Sequence, residues 1–415
     1  MAKTQEIVVG LDIGTSKVAL VAGIVNEGML QVIGVGQAPN SGIRKGVVID
    51  IDDCVSAISG AIDQAERVAG LPLKHAFVGV GGNQMSVHEA KGVVAVSRAD
   101  GEISESDIAR VLEAARVVAV PPNRDILHVI PGNFAVDGQR GIKDPLGMSG
   151  VRLEVEARIV ACGAPAMRNL IKCVEQADLQ ITELVFSPLA TAKTLLTKRQ
   201  KESGVILVNI GAGTTSLIIF EEGDMLHAAI LPIGSMHLTN DIAIGLRVSL
   251  DVAERIKIKH GAADKDRIKD SEAIPLATFE PEEKEKVERK YVVEIIEARL
   301  NELFSMIRDE LRKIGKDGMI PAGIVFTGGG AKLEGLVDFA KNYLHLPASL
   351  GNPILEVTGL VDELDNPSYA TALGLMLWGI EDTNRHGKNG SKLEIHKVGG
   401  DLVARARHIL GQFLP

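Results

Sequence analysis

Ile7-Val8-Val9-Gly10-Leu11-Asp12-Ile13-Gly14-Thr15-Ser16-Lys17-Val18-Ala19-Leu20-Val21-Ala22-Gly23-Ile24 runs apolar to one carboxylate, turns through Gly14 and three small or basic polar residues, and resumes as a second apolar run. These residue types in this order suit a phosphate site. Gly14 lets backbone amides approach an anion closely, Thr15 and Ser16 offer hydroxyl donors, Lys17 supplies a cation, and Asp12 is placed to hold a hydrated divalent metal. Neither common nucleotide loop is present: there is no Gly-x-x-x-x-Gly-Lys-Ser/Thr, and no Gly-x-Gly-x-x-Gly opening a helix. Alone, the stretch also reads as an ordinary hairpin with a Gly-Thr turn.

About two hundred residues later the pattern recurs in Val205-Ile206-Leu207-Val208-Asn209-Ile210-Gly211-Ala212-Gly213-Thr214-Thr215-Ser216-Leu217-Ile218-Ile219-Phe220. A third glycine cluster, Thr327-Gly328-Gly329-Gly330-Ala331, ends a strand and opens the helical pattern Leu333, Leu336, Val337, Phe339, Ala340. This triple constellation resembles the actin, heat-shock-chaperone and sugar-kinase superfamily of ATP binders. The resemblance implies an α/β, two-lobed actin-like ATPase fold with ATP and Mg2+ held in the interlobe cleft. It makes Gly14, Thr15, Ser16 and Lys17 the first phosphate loop, Gly211, Ala212, Gly213, Thr214 and Thr215 the second, and Gly328, Gly329 and Gly330 the adenosine loop. Asp12 and Asn209 become the metal positions, acting through water.

At 415 residues the chain is too long for one ordinary core, and two to four subdomains are expected. Aromatics make up only 3% against 46% hydrophobic residues, so the interior is aliphatic, as buried parallel strands prefer. A net charge of -9 argues against nucleic acid as a partner. Cys54, Cys162 and Cys173 lack Cys-x-x-Cys spacing and read as reduced structural thiols of a cytosolic protein, and the scattered histidines suggest no zinc site. No apolar run reaches the length of a membrane span, and Asp12 interrupts the first one, against a signal peptide.

Along the chain, a helix is predicted over 51–69 from Val55, Ile58, Ala61, Ile62 and Ala65, followed by a strand over 74–80. From about Asn83 to Gly163 the pattern changes to short strands and one helix with its own small core. Ser86 to Ser97 reads as strands joined at Lys91-Gly92, and Ser104 with Asp107 as a capping box opening a helix. Within this insert, Leu127-His128-Val129-Ile130-Pro131, Phe134-Ala135-Val136-Asp137 and Gly141-Ile142-Lys143-Asp144-Pro145-Leu146-Gly147-Met148-Ser149-Gly150-Val151-Arg152-Leu153 look like the hallmark segment of the bacterial cell-division family FtsA, and Gly42-Ile43-Arg44-Lys45-Gly46 also fits. The likeness runs from about Ile7 to Trp378. It implies an FtsA-type inserted subdomain in the first lobe, serving contacts between neighbouring subunits of an actin-like filament and with other division proteins.

Two positions depart from the pattern of related ATPases. Ser187 stands near where they often carry Glu or Gln to orient the attacking water, and Asn209 stands where the second loop usually begins with Asp. An amide adds no charge to a metal shell and cannot act as a base, so ATP turnover is expected to be weak or slow. Glu254 and Lys257, one turn apart on an amphipathic helix capped by Ser249, read as a solvated salt-bridge face. The superfamily resemblance instead assigns them to ribose hydroxyls. A long helix predicted over 292–314 exposes Arg299, Asn301 and Glu302. The FtsA resemblance places this helix in the subdomain that grips the acidic C-terminal tail of FtsZ, with Arg299 pairing a carboxylate, Glu302 fixing register, and Arg289 and Lys290 adding attraction. A surface of compensating charges is the other reading.

From Thr383 the composition shifts to Asn, Gly, Ser and Lys, a linker through Gly400. In the last stretch Leu402, Val403, Ile409, Leu410, Phe413 and Leu414 share one face at roughly 100° per residue, flanked by Arg405 and Arg407. Residues 384–415 carry six Lys or Arg against two Asp or Glu, a net of +4. Such a helix suits an anionic membrane interface, and docking on the protein's own core is the alternative.

The expected division is 1–83 for the first part of subdomain 1A, 84–163 for inserted subdomain 1C, 164–195 for the return to 1A and 196–228 for the first part of 2A. Then come 229–303 for 2B, 304–360 for the return to 2A, 361–382 for a closing helix on 1A, 383–400 for the linker and 401–415 for the amphipathic helix. The function the resemblance implies is a peripheral adaptor at the division site, tying FtsZ filaments to the cytoplasmic face of the cell membrane. A PilM-like pilus-assembly scaffold and a small-molecule kinase are the alternatives.

Overall fold

The computed structural model describes residues 7–26, 29–117, 121, 123–280, 285–354, 357–360 and 364–386. The helix predicted over 401–415 and most of the predicted linker lie outside the described residues.

The strands Val8–Ile13 and Lys17–Asn26 pair antiparallel, from Val8 opposite Gly23 to Ile13 opposite Val18. Around them a six-stranded sheet is built in the order Gln180–Phe186, His75–Val80, Val8–Ile13, Lys17–Asn26, Met29–Pro39, Val357–Gly359. Its two flanking strands on the Val8–Ile13 side run parallel to it. The second sheet repeats this plan. Asp224–Leu231, Thr215–Glu221 and Val205–Ile210 form the antiparallel part, and Ile324–Thr327 and Ala348–Leu350 add parallel strands. Buried on both faces, strands such as Val205–Ile210 are continuous apolar runs, as parallel-type interiors require.

Helices fill the layers between and outside the sheets. Ile51–Ala69 starts where the Asp50 carboxylate accepts from the Asp53 amide and ends at left-handed Gly70. Ser187–Leu195 and Ala370–His386 pack against each other, and their core is continuous with one face of the second sheet. The other face of that sheet meets Arg289–Lys313, with Phe304 stacked near Phe326 at 5.9 Å between ring centroids. This helix is one element, so it crosses the boundary expected at 303. The strand Val357–Gly359 already belongs to the first sheet, so the chain recrosses before residue 361. Ala370–His386 also continues into the predicted linker, because a change in composition marks lost core contact rather than the end of backbone hydrogen bonding.

The insert is a four-stranded sheet ordered Met85–Ala95, Arg152–Gly163, Arg124–Val136, Gln139–Ile142, covered by Glu105–Val117. Asp107 accepts from the Ser104 amide at 2.9 Å, as the capping reading expects. The turn expected at Lys91-Gly92 is absent and the strand runs straight through. Gly92 serves a different need: a Cβ there would lie 1.9 Å from the Val111 carbonyl oxygen of the covering helix. The insert touches both lobes. His128 accepts the Phe186 amide proton of the first sheet at 3.0 Å, while Lys143 pairs with Asp224 at 2.6 Å and Arg158 donates to the Leu226 carbonyl at 2.9 Å on the second.

Superposing the two hairpins by register sets Asp12 on Asn209, Gly14 on Gly211, Lys17 on Thr214 and Val18 on Thr215. Val18 and Thr215 are both fully buried, and among the described residues the Thr215 hydroxyl has no hydrogen-bond partner. A buried hydroxyl left unpaired is costly where an isosteric methyl is not. Thr215→Val is therefore expected to stabilise the protein by about 1 kcal/mol, read as a higher midpoint in urea unfolding; an unchanged or lower midpoint contradicts this.

Candidate functional site

The two hairpins present their turns to each other across a cleft of about 590 Å³ between the lobes. In each turn the first glycine amide donates to the carbonyl three residues on: Gly14 to Lys17 at 2.9 Å and Gly211 to Thr214 at 3.0 Å. The loops approach so closely that a Cβ at Gly213 would stand 2.8 Å from the Thr15 hydroxyl oxygen. The carbonyls of Gly211 and Ala212 are taken by the first amides of the helix Ser235–Leu246, from Ser235 at 2.8 Å and Met236 at 2.9 Å. With those two acceptors occupied, the Ala212 and Gly213 amides and the Thr214 hydroxyl are donors of the kind an anion needs.

Asp12 and Lys17 supply the charges. Burial raises the Asp12 carboxyl to about 6 against the pull of Lys17. Burial likewise lowers Lys17 to about 8; Asp12 counteracts this and Lys332 adds to it. The Lys17 ammonium donates to Gln37 at 3.0 Å and lies 5.1 Å from the Tyr369 ring centroid. Ser187, at the start of Ser187–Leu195, shares the bare side of Gly79 with Asp12: a Cβ there would sit 2.8 Å from the Ser187 hydroxyl and 3.5 Å from Asp12 Oδ1. Asn209 donates from Nδ2 to Thr371 at 3.4 Å; Thr371 meets Thr191 at 3.0 Å, and Thr191 donates to the Ser187 carbonyl at 2.8 Å. These polar contacts tie the second hairpin to the first lobe, and only the spatial roles of Thr191 and Thr371 were hidden in the sequence.

Gly328, Gly329 and Gly330 follow the strand parallel to Val205–Ile210 and reach the same cleft beside Asn209. Glu254 and Lys257 line it as well, 2.6 Å apart, with Lys257 also donating to Thr239 at 2.8 Å and the Ser235 carbonyl at 3.2 Å. Of the predicted phosphate residues, Thr215 alone does not line the cleft. Strand alternation turns it inward like Val18, while Thr214 and Ser216 face the cavity.

Among the described residues no three His, Cys, Asp or Glu side chains converge as a metal cage. A single buried carboxylate next to an amide fits a different case, a hydrated divalent ion such as Mg2+ that arrives on phosphates and keeps most of its waters.

The predicted partner residues are distributed unevenly. Arg299 grips Asp241 with two nitrogens, at 2.7 and 3.0 Å, and also meets Glu302. The Asn301 carbonyl accepts from the Tyr343 hydroxyl at 3.4 Å. Arg289 does not join this surface: it pairs with Glu272 at 2.8 Å and Glu334 at 2.9 Å, and Lys290 pairs with Asp270 at 2.6 Å. Both lie about 15 Å along the helix from Arg299. Beside Arg299 the structure adds residues that sequence reasoning passed over. Asp241 on Ser235–Leu246 holds Arg299, and Ile244, about one turn further along the same helix, is 77% exposed. The signal was present as Asp241 and Ile244, three residues apart on a short helix.

Two sheets of matching topology, each contributing a glycine turn to one cleft, and an insert in the first lobe define an actin-like ATPase fold with an added subdomain. Solved structures share it: a chain of the PilM-PilN type IV pilus biogenesis complex has a TM-score of 0.67 at 19% identity, covering 90% of this chain and 98% of that one. MreB 5 of Spiroplasma citri bound to AMPPNP has a TM-score of 0.55 at 11% identity, covering 94% and 100%. The family model described as "Cell division protein FtsA" matches residues 206–374, and "SHS2 domain inserted in FTSA" matches residues 82–161. Cell division protein FtsA of Pseudomonas aeruginosa is 42% identical over 384 residues, 92% of this chain and 91% of the relative; that of Bacillus subtilis is 38% identical, covering 92% and 86%. The chain belongs to the FtsA family of cell division proteins.

The buried Asp12 is a stability liability when the cleft is empty. Its contribution to folding is full below pH 4, where both states are protonated, and is lost as pH rises through about 6. A rise from 3.8 to about 6 corresponds to about 3 kcal/mol at neutral pH. Asp12→Asn should raise the melting temperature of the ligand-free protein at pH 8 and leave it unchanged near pH 4. A lower melting temperature at pH 8 would show that the carboxylate stabilises the empty fold.

Proposed function

We propose that this chain is a nucleotide-dependent adaptor of cell division that binds ATP in the cleft, assembles with copies of itself, and links FtsZ to the membrane. The observation that carries the nucleotide reading is the pair of facing glycine turns around Asp12 and Lys17, two partly buried charges that a magnesium-bound polyphosphate would complete. Gly14–Lys17 and Gly211–Thr214 hold the phosphates, Gly328–Gly330 lie against the base, and Glu254 with Lys257 meet the ribose. Asp12, and Asn209 from the facing strand, would hold waters of a Mg2+ ion, which would supply charge neutralisation to the phosphates. That an MreB relative of the fold was solved with AMPPNP supports this choice of ligand.

With Ser187 and Asn209 in place of the acidic or amide groups related ATPases use, Asp12 is the carboxylate among the described residues at the first turn, water is not deprotonated efficiently and hydrolysis is slow. Nucleotide then acts as a conformational ligand more than a fuel. Asn209→Asp tests this. Steady-state phosphate release should increase several-fold with ATP affinity little changed, and brisk wild-type release unaffected by the substitution would reject slow turnover.

The surface of Arg299, Glu302 and Asn301, with exposed Ile244 about one turn from Asp241, offers a cation near an apolar residue, suited to the acidic and apolar tail of FtsZ. The insert takes neighbouring subunits and other division proteins. The net +4 tail with its apolar face, Leu402 to Leu414, anchors the protein peripherally to anionic lipid on the cytoplasmic face at the division site. The similarity to a pilus-complex chain rests on 19% identity and carries fold alone, while the FtsA relatives reach 42%. Sedimentation with anionic liposomes separates the readings. Full-length protein should pellet and carry a fluorescein-labelled FtsZ tail peptide with it, and protein lacking residues 401–415 should stay in the supernatant. Pelleting that is independent of the tail, or a peptide left in solution, overturns the adaptor.

A further inference from the structure

The helix Ser235–Leu246 touches three things at once. Its first turn is hydrogen-bonded to the second phosphate loop through the Gly211 and Ala212 carbonyls. Its second turn carries Thr239, which contacts both Glu254 and Lys257 of the nucleoside side of the cleft. One half-turn further, Asp241 holds Arg299 with both carboxylate oxygens. Gly234 is pressed so closely on the loop that a Cβ would lie 2.5 Å from the Ala212 carbonyl oxygen.

We propose that Asp241 is a built-in stand-in for the carboxylate of the acidic peptide, and that this helix makes release of Arg299 depend on the occupancy of the cleft. The inference rests on the acidic-peptide reading of the Arg299 surface and deepens it to regulation. Phosphates drawn onto the donors of Gly211–Thr214 pull the loop toward the cleft, and the helix follows because its leading amides are bonded to that loop. A two-point Arg–carboxylate pair is geometrically strict, so a small axial displacement of Asp241 weakens it. Arg299 then exchanges Asp241 for a carboxylate of the incoming chain at no net loss of ion pairs. In the empty state the same pair competes with the peptide. Because coupling between two binding events is reciprocal, peptide must raise nucleotide affinity by the factor by which nucleotide raises peptide affinity.

The test uses full-length protein, the labelled FtsZ tail peptide and fluorescence anisotropy, with and without a non-hydrolysable ATP analogue and Mg2+. Wild type should bind the peptide at least about fivefold more tightly with the analogue. Asp241→Asn should bind it in the absence of nucleotide as tightly as loaded wild type and respond little to the analogue. Gly234→Ala, which forces the helix off the loop without touching Arg299, should keep the weak empty-state affinity and lose the response. Nucleotide binding is followed in parallel with a fluorescent ATP analogue, and thermal melts confirm that each variant is folded. Equal peptide affinity with and without nucleotide in wild type, or an Asp241→Asn protein that binds more weakly, overturns the coupling while leaving the peptide site standing. Failure of wild type and variants alike to bind the peptide in any state removes the site itself, and the coupling with it.

Discussion

The close opposition of two glycine turns, each the tip of an antiparallel hairpin at the centre of its own sheet, is the constraint on which the rest of the structure depends. Thr15 and Gly213 meet with no room for a Cβ between them, so the lobes must be held at a defined separation. The polar contacts from Asn209 through Thr371 and Thr191 to Ser187 and the packed helices Ser187–Leu195 and Ala370–His386 do that. The outcome is a cleft in which Asp12 and Lys17, at the first turn, are partly buried and their titration is shifted by desolvation. Proteins tolerate such groups where a ligand completes them, and stability elsewhere offsets the cost.

Much of this was legible in the residues themselves. A hairpin announces itself by two apolar runs and a turn, and its repetition after about two hundred residues fixes the two-lobed plan, because both copies must present the same end to share a ligand. Gly211–Thr214 and Gly328–Gly330 were readable for that reason. Thr215 was misread because it sits next to polar neighbours, although aligning the two hairpins would have placed it on Val18, a core position. Gly92 misled for the opposite reason: a glycine between polar residues reads as a turn, whereas here it admits a helix backbone. The partners of Arg299 and Arg289 were not readable at all. Ion pairs between residues tens of positions apart depend on how helices are docked, and no local pattern encodes that.

The insert deserves the same physical reading as the cleft. It is covalently part of the first lobe, yet Lys143 and Arg158 fasten it to Asp224 and Leu226 at the edge strand of the second. An edge strand with unpaired backbone groups is a natural attachment point, and covering it also protects the sheet from unwanted pairing. With His128 bonded to the backbone of Phe186, one residue before Ser187 at the cleft floor, the insert spans the hinge region of the molecule. Any change in the angle between the lobes must either strain these contacts or move the insert.

Charge pairing on the outer surface follows a related logic. A protein that must bind an acidic segment reversibly gains little from a bare arginine, which would attract every anion nearby and lose most of its strength to screening. Holding Arg299 on Asp241 keeps the guanidinium oriented and partly desolvated before any partner arrives, so capture becomes an exchange between two similar ion pairs. On the peptide-binding reading proposed above, specificity comes from what the internal carboxylate lacks, apolar contact of the kind exposed Ile244 offers to a chain of mixed character. Arg289 and Lys290, equally basic, are held by other acids, Arg289 by Glu272 and by Glu334 at the lip of the cleft, and Lys290 by Asp270.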